Sequence, residues 1–403
     1  MVCQRILTHP WGVAAIVTAD RTQQRNRRGG PKEQLTVLVM SGHSNAENPY
    51  MQLLVGAFRD RDVDIRTPIN PFFFPLTRAV YVNPDADVLQ LDWLYEFYTT
   101  SDIGIDVIDA VISILRAAMF CVDLFLVSRF GPAVVKHVHN KHHHEQSLPR
   151  TERIVNELTF ALADRLVVKC DRAAEVLATT YVTFNADDAV VVSDGSFISA
   201  YENEVSTAAA RSELGIDEDT FVYLFFGLIR PYKGVTDLLR AFSAADLPNS
   251  ELWIVGNPTE DSLELELRRL TDEVSGVQTV FEFIPEERIQ YYMNAADVLV
   301  LPYRSILNSG SAHLGLSFGL PIVAPAIGCL PETVTADGGT LYDPDDPDGL
   351  KDALGAVRAD PSLPAIGRSN LERARENTWD STADRLVSLY SSVSSTGDSN
   401  RDS

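Results

Sequence analysis

Two series of short, almost uninterrupted apolar runs, separated by a polar stretch near mid-chain, constrain the fold more than any other feature of the sequence. The first comprises residues 35–40, 88–91, 134–139, 166–168 and 190–192; the second comprises 221–226, 252–255, 280–283, 298–301, 322–324 and 340–342. Runs of this length without polar alternation belong to strands covered on both faces, as in parallel sheets flanked by helices. The first run, LTVLVM, enters the turn-rich SGHSNAENPY and then an amphipathic helix through Leu53, Leu54 and Phe58. That is a strand-loop-helix unit. The polar, helix-prone segment 204–219 separates the two series, and 403 residues comfortably fill two cores. The expectation is two consecutive doubly wound α/β domains, at 34–200 and 215–375, whose strand C-termini present ligand loops to each other across a cleft.

Composition narrows the function classes. Apolar residues at 45% and charged residues at 22% describe a globular body, so disorder is confined to the ends. The net charge is -22, and the lysines are only Lys32, Lys136, Lys141, Lys169, Lys233 and Lys351. Such a surface excludes nucleic acid as a partner, since phosphate backbones need clustered cations. It suits a protein kept soluble in strong salt, and a halophilic source is the expectation. Four scattered cysteines, Cys3, Cys121, Cys170 and Cys329, without CxxC spacing, read as buried thiols in a reducing cytoplasm. Residues 1–33 carry an apolar run at 11–17 followed by an arginine-rich segment, and are read as a disordered extension rather than a signal peptide. Residues 394–403 are read as a solvated tail.

Residues 104–127 approach membrane-span length, yet Asp106, Asp109, Arg116 and Asp123 interrupt them. Each charge at a bilayer centre costs about 2.5–3.5 kcal/mol on insertion scales, which argues for a buried or interface-facing helix. Peripheral contact with a membrane surface stays open, because an acceptor carried on a lipid needs an apolar approach.

Chemistry concentrates in two loops of the second half. In FFGLIRPYKGVTDLLRAF (225–242) a β-run ends at Gly227, and Arg230 and Lys233 stand on the following loop. Cations at the C-terminal edge of a parallel sheet can neutralise charge on a departing nucleoside diphosphate. In LPYRSILNSGSAHLGLSFGLPIVAPAIGCLPE (301–332), Asn308, Ser309, Gly310 and Ser311 precede a helix of small and apolar residues at 312–318. A Ser or Asn cap, exposed N–H groups and the positive dipole end make a diphosphate site, and Gly310 lets a ligand approach the backbone.

Together the two loops resemble the donor-binding half of glycosyltransferase family 4 and its relatives. So do AADVLVLPY (295–303), IVGNP (254–258), FIPEERI (283–289), LPE (330–332) and the closing TWDSTADRLVSLY. The resemblance spans residues 34–393. It implies a GT-B fold, α/β with two Rossmann-like domains facing a cleft and a C-terminal helix at 376–393 crossing back. It also implies a metal-independent, cofactor-free hexosyltransferase moving sugar from a GDP- or UDP-sugar to a glycan or lipid-linked acceptor. The setting implied is cell-surface polysaccharide or glycoconjugate synthesis, in the cytoplasm or peripherally at the inner face of the cell membrane. By the same resemblance Ser309, Gly310 and Ser311 cradle the diphosphate, Arg230 and Lys233 stabilise its charge, and Gly227, Phe283, Ile284, Pro285, Tyr303 and Glu332 line the nucleotide-sugar pocket. In the first half, ENPY (47–50), LQLDWLYEF (89–97) and HVHNKHHHE (137–145) resemble acceptor-side loops, which implicates Asn48, Pro49, Tyr50, Asp92 and Trp93, with His139 facing the sugar.

The chain departs from the family pattern where two glutamates normally contact the donor: those positions hold Ile306 and Leu314. The arginine usually following the first glycine is replaced by Leu228, and Arg230 is the candidate substitute. Stereochemical outcome is left open. An inactive GT-B-fold binding protein and a UDP-sugar epimerase of the same fold remain alternatives. An NAD-dependent oxidoreductase lacks support, because SGHSNAEN stands where GxGxxG would follow the first strand. The histidines His137, His139, His142, His143 and His144 could suit a metal, but no HExxH or CxxC accompanies them, and no metal is expected.

Overall fold

The first series of apolar runs forms one six-stranded parallel sheet. Its strands are β1 (Leu35–Met40), β2 (Val63–Arg66), β3 (Val88–Leu91), β4 (Ala133–His137), β5 (Arg165–Val168) and β6 (Ala189–Val191), in the order β2-β1-β3-β4-β5-β6. The computed structural model describes residues 34–41, 49–68, 73–99, 106–142 and 148–399. The expected N-terminal extension, Asn48, His143 and His144 lie outside them. Between the strands run α1 (Pro49–Ala57), α2 (Pro75–Val82), α3 (Tyr95–Tyr98), α4 (Asp106–Phe130), α5 (Pro149–Leu162) and α6 (Asp171–Thr180), and α7 (Thr207–Leu214) leads into the second sheet. Alternate strand residues face opposite layers. Val37, Val39, Val135 and Val167 belong to one core, and Leu38, Met40, Leu89, Leu91 and Val134 to the other.

The second sheet holds β7 (Phe221–Phe226), β8 (Ser250–Val255), β9 (Val277–Val280), β10 (Val298–Val300), β11 (Ile322–Pro325) and β12 (Gly339–Tyr342), all parallel, in the order β12-β11-β10-β7-β8-β9. Its helices are α8 (Val235–Ala245), α9 (Asp261–Asp272), α10 (Glu286–Ala295), α11 (Gly310–Ser317), α12 (Leu330–Val334), α13 (Gly349–Ala359) and α14 (Leu363–Glu376). In each sheet the strand order reverses once, between β1 and β3 in the first and between β7 and β10 in the second. Successive connections leave such a point toward opposite faces, which opens a crevice at the strand C-termini.

The last helix, α15 (Trp379–Ser399), returns to the first sheet. Trp379, Ala383, Leu386, Tyr390 and Val393, spaced by three or four residues, bury one stripe against Val37, Val135 and Tyr50. The helix continues to Ser399, into the stretch expected to be a solvated tail, because Val393 extends the buried stripe by another turn. Leu386 is 1% exposed. Leu386→Ala is expected to cost about 2–5 kcal/mol of stability, read as a lowered denaturant midpoint. A change within about 0.5 kcal/mol, the range of ordinary surface substitutions, would mean that the helix is not docked as described.

One sequence expectation is corrected here. Cys170 and Cys329 are joined as a disulfide, with Cα atoms 5.7 Å apart, so they are not a pair of free buried thiols; Cys121 remains a thiol. The bond ties the turn between β5 and α6 to the residue before α12, linking the two sheets' domains. The partners lie 159 residues apart in sequence, and spacing rules report only local cysteine clusters. Scattered cysteines therefore give no ground for a reducing compartment.

Candidate active site

The donor-side residues gather where β7 and β10 lie side by side. β7 is followed by Gly227, whose φ of +123° admits little but glycine; a Cβ there would sit 3.3 Å from Ser311 Oγ and 3.4 Å from Lys233 Nζ. Two loops that leave adjacent strands in opposite directions thus bring a hydroxyl and an ammonium together over one glycine. Lys233 closes the 3-10 turn Pro231–Lys233 and is 9% exposed. Burial, helped by the positive charge of Arg230, pushes its pKa down to about 8. Among the described residues no carboxylate lies within ion-pair reach of it. A buried ammonium of this kind favours an anionic partner.

The facing loop supplies the second half of the site. Ser309 is the N-cap of α11: its Oγ accepts from Ala312 N at 3.2 Å and donates to Tyr303 Oη at 3.3 Å. Its hydroxyl is therefore committed to the cap rather than to a ligand, and the N–H groups of Gly310 and Ser311 define the helix end. A Cβ on Gly310 would meet nothing within 4 Å, so the space above that end is open. Ser311 Oγ donates to Phe226 O at 3.3 Å. Tyr303 is buried beneath both serines, Ile284 is buried, and Phe283 is 77% exposed on the loop before α10, with Pro285 as that helix's N-cap.

Glu332 does something else. Its carboxylate accepts from Asp171 N at 3.1 Å and Arg172 N at 2.7 Å, so it caps α6 of the first domain from the first turn of α12. A carboxylate is favoured at that positive helix end, and the contact clamps the domains together beside the disulfide.

On the acceptor side, His139 leaves the end of β4 and stacks on Trp93 at 4.1 Å, with Tyr50 edge-on at 5.0 Å. Pro49 and Tyr50 open α1. His139 Nε2 lies 2.8 Å from Asp92 Oδ1, while Asp92 Oδ2 accepts from Gln90 Nε2 at 2.7 Å. Both oxygens of this fully buried carboxylate are engaged, so Asp92 orients His139 rather than touching an acceptor, and Nδ1 is the imidazole atom left for a ligand. Lys136 donates to the Asp92 carbonyl. Tyr390, from α15, donates to Gln90 Oε1 at 2.6 Å and lies 3.1 Å from His137 Nε2. The returning helix thus locks the polar layer under the site.

Burial, the largest influence on each group, opposes charge in this layer. It lowers the pKa of His139 against the pull of Asp92, brings His137 down to about 3 and Lys136 down to about 8. For Asp92, burial pushes upward but is outweighed by the hydrogen bond with His139 and the charges of His137, His139 and Lys136. The carboxyl is held well below its ordinary range. At neutral pH the pair is therefore carboxylate and neutral imidazole. Asp92, His137 and His139 bring three ligand atoms within 4.8 Å of one another. Lys136 donates to the carbonyl of Asp92, and the charge of Lys169 acts on both histidines, so two cations already face that cluster.

Three residues of the cleft escaped the sequence reading. Lys169, just after β5, pairs with Asp194, just after β6, at 2.7 Å and sits 4.8 Å above the Tyr50 ring. Asp194 accepts from Asn308 Nδ2 at 2.8 Å, reaching across to the loop before α11. His313, on α11, faces the same charges, and burial lowers its pKa. The usable signal was position, because charged residues directly after parallel strands belong to the ligand edge of the sheet. Leu314 is in the second core and Ile306 packs against it, which accounts for their apolar character.

Residues 206–377 match the family model described as Glycosyl transferases group 1. Among curated relatives, the chain is similar to a D-inositol 3-phosphate glycosyltransferase of Saccharomonospora viridis, 34% identical over 60% of this chain and 58% of the relative, which is less than two thirds of its length. It is also similar to a GDP-mannose:glycolipid 4-beta-D-mannosyltransferase of Xanthomonas campestris pv. campestris, 27% identical over 84% of this chain and 88% of the relative. Among solved structures, sucrose-phosphate synthase from Thermosynechococcus elongatus superposes with a TM-score of 0.70 at 19% identity, covering 90% of this chain and 100% of that one. Two parallel six-stranded sheets, their crevices and the returning helix agree with that architecture: the chain has the GT-B fold, and its residues 206–377 match the glycosyl transferases group 1 family.

Proposed function

We propose that the protein transfers a sugar from a GDP- or UDP-sugar, held by the second domain, to a hydroxyl of a glycan or lipid-linked acceptor entering from the first. The observation that carries this reading is Lys233: a buried ammonium without a carboxylate partner among the described residues, beside Arg230 and Ser311 and facing the open end of α11. A diphosphate placed there meets two cations and a helix N-terminus without any metal. The acceptor oxygen bonds to the anomeric carbon as the bond from that carbon to the phosphate oxygen breaks, and the nucleoside diphosphate leaves with the electron pair. His139, oriented by Asp92, orients the sugar or takes up the acceptor proton through Nδ1. The glycolipid mannosyltransferase that the chain resembles along most of its length supports a lipid-linked acceptor.

The test is a thermal-shift screen against GDP, UDP, ADP, dTDP and NAD, followed by transfer assays with the corresponding donor sugars. A ligand specific for the native state adds about 2.7 kcal/mol at 100 times its Kd. One nucleoside diphosphate is expected to stand out, and Lys233→Ala to abolish its shift. A shift with NAD alone overturns the reading, and nucleotide binding without transfer to any acceptor leaves a binding protein.

A further inference from the structure

Three of the charges that interrupt the apolar segment of α4, Asp109, Arg116 and Asp123, matter by where they point. Asp123 accepts from Leu76 N at 2.8 Å and Thr77 N at 2.9 Å, capping α2, and Arg116 donates to the carbonyls of Thr99 at 2.8 Å and Glu96 at 3.2 Å. Asp109 is 8% exposed. These three charges face inward and tie the helix to its own domain, so α4 cannot leave the fold to span a bilayer. The outward face is the apolar one. Val107, Val111, Leu115, Val122 and Phe125, each at least half exposed, follow one another at three, four or seven residues, and α4 is long and apolar enough to cross a membrane by composition alone. Tyr81 on α2 and Ile154 on α5, exposed by 83% and 64%, widen the stripe, since both helices pack beside α4.

Among the described residues, the exposed charges on the helices around that stripe are of one sign. On α2, α4 and α5 the exposed charged side chains among the described residues are Arg78, Arg129, Arg150 and Arg153. The carboxylates Asp109, Asp123 and Glu152 are buried, and Glu157 is bonded to Val182, Thr183 and Arg153. In a chain of net charge -22 this is the reverse of the average surface. From this complementarity we propose that the outer face of α2, α4 and α5 docks on an anionic lipid surface, with α4 lying in the interface plane, its apolar stripe in the acyl boundary and the arginines among headgroups. A second copy of the chain fits less well: a two-fold contact through this face would set like arginines against each other. Trp93 directly precedes Leu94 and α3, which packs on α4, so docking holds the acceptor side of the cleft near the lipid. Only that last link rests on the transferase reading.

The experiment is flotation of the full chain with vesicles of phosphatidylcholine alone and of phosphatidylcholine mixed with phosphatidylglycerol, at low and high salt. Wild type is expected to float with the anionic vesicles. The triple change Leu115→Ser, Val122→Ser, Phe125→Ser should lower partitioning by about tenfold or more, with unchanged circular dichroism and an unchanged thermal shift by nucleotide. Arg78→Gln, Arg129→Gln and Arg150→Gln together should erase the preference for anionic lipid. Wild type left unfloated by both vesicle types overturns the proposal, as does wild-type flotation of the serine variant. A dimer in sedimentation that the serine changes dissolve would overturn it in favour of a second copy. Flotation without any nucleotide shift would keep the docking and sink the transferase reading.

Discussion

Lys233→Ala is expected to lower kcat for sugar transfer by roughly 10²- to 10³-fold, the loss seen when one preorganised group facing developing charge is removed. Arg230→Ala should fall in the same direction. Stability should not follow: Lys233 is buried with no carboxylate partner among the described residues, so removing its charge relieves a desolvation penalty, and the melting temperature of the ligand-free variant should hold or rise. Opposite signs in rate and stability separate a residue placed for a ligand from one placed for the fold. A near-wild-type rate in both variants, assayed at saturating donor, would remove the diphosphate from this loop.

The second large effect concerns the pair His139 and Asp92. His139→Ala is expected to reduce kcat/KM by about 10²- to 10⁴-fold if the imidazole handles a proton in the transition state. The pH profile gives the sharper reading. Because burial lowers the pKa of His139, the imidazole is still neutral as the pH falls through its ordinary value of about 6.5. Transfer should persist through that point and fail only in more acid solution. Asp92 pulls the pKa upward, so Asp92→Asn should slow the reaction and also move the acid limb to still lower pH. An acid limb that stays put in Asp92→Asn, with a reduced rate, would make Asp92 a purely structural support.

Much of this arrangement was legible in the residues. Strands β1, β3 and β7 stand where their apolar runs predicted, and most others differ by one or two residues at an end. The exceptions share a cause. β2 reads VDIR, which gives no apolar run, and β9 reads VQTV, while the more apolar FEF after it places the expected strand at 280–283. Both are edge strands with partly exposed residues, where burial no longer enforces an apolar run. The donor loops were legible because glycine, cap and cation chemistry is local. The Asp194–Lys169 pair, the Glu332 cap on α6 and the disulfide were not, since each joins residues that only the assembled domains bring together. For the charges on α4 the sequence told their number but not their direction.

The placement of Tyr390 and Leu386 bears on how the molecule is made. The first domain's buried layer, Gln90, His137 and the valines of β1 and β4, is closed by α15, which the ribosome delivers after all the elements of both sheets. Domains usually fold as units during synthesis, N-terminal first. Here the early domain must wait with an uncovered apolar face until the later one has emerged and its final helix has threaded back. Maturation of the first domain is thus timed by completion of the second, and a nascent chain stalled before residue 379 should be a substrate for chaperones.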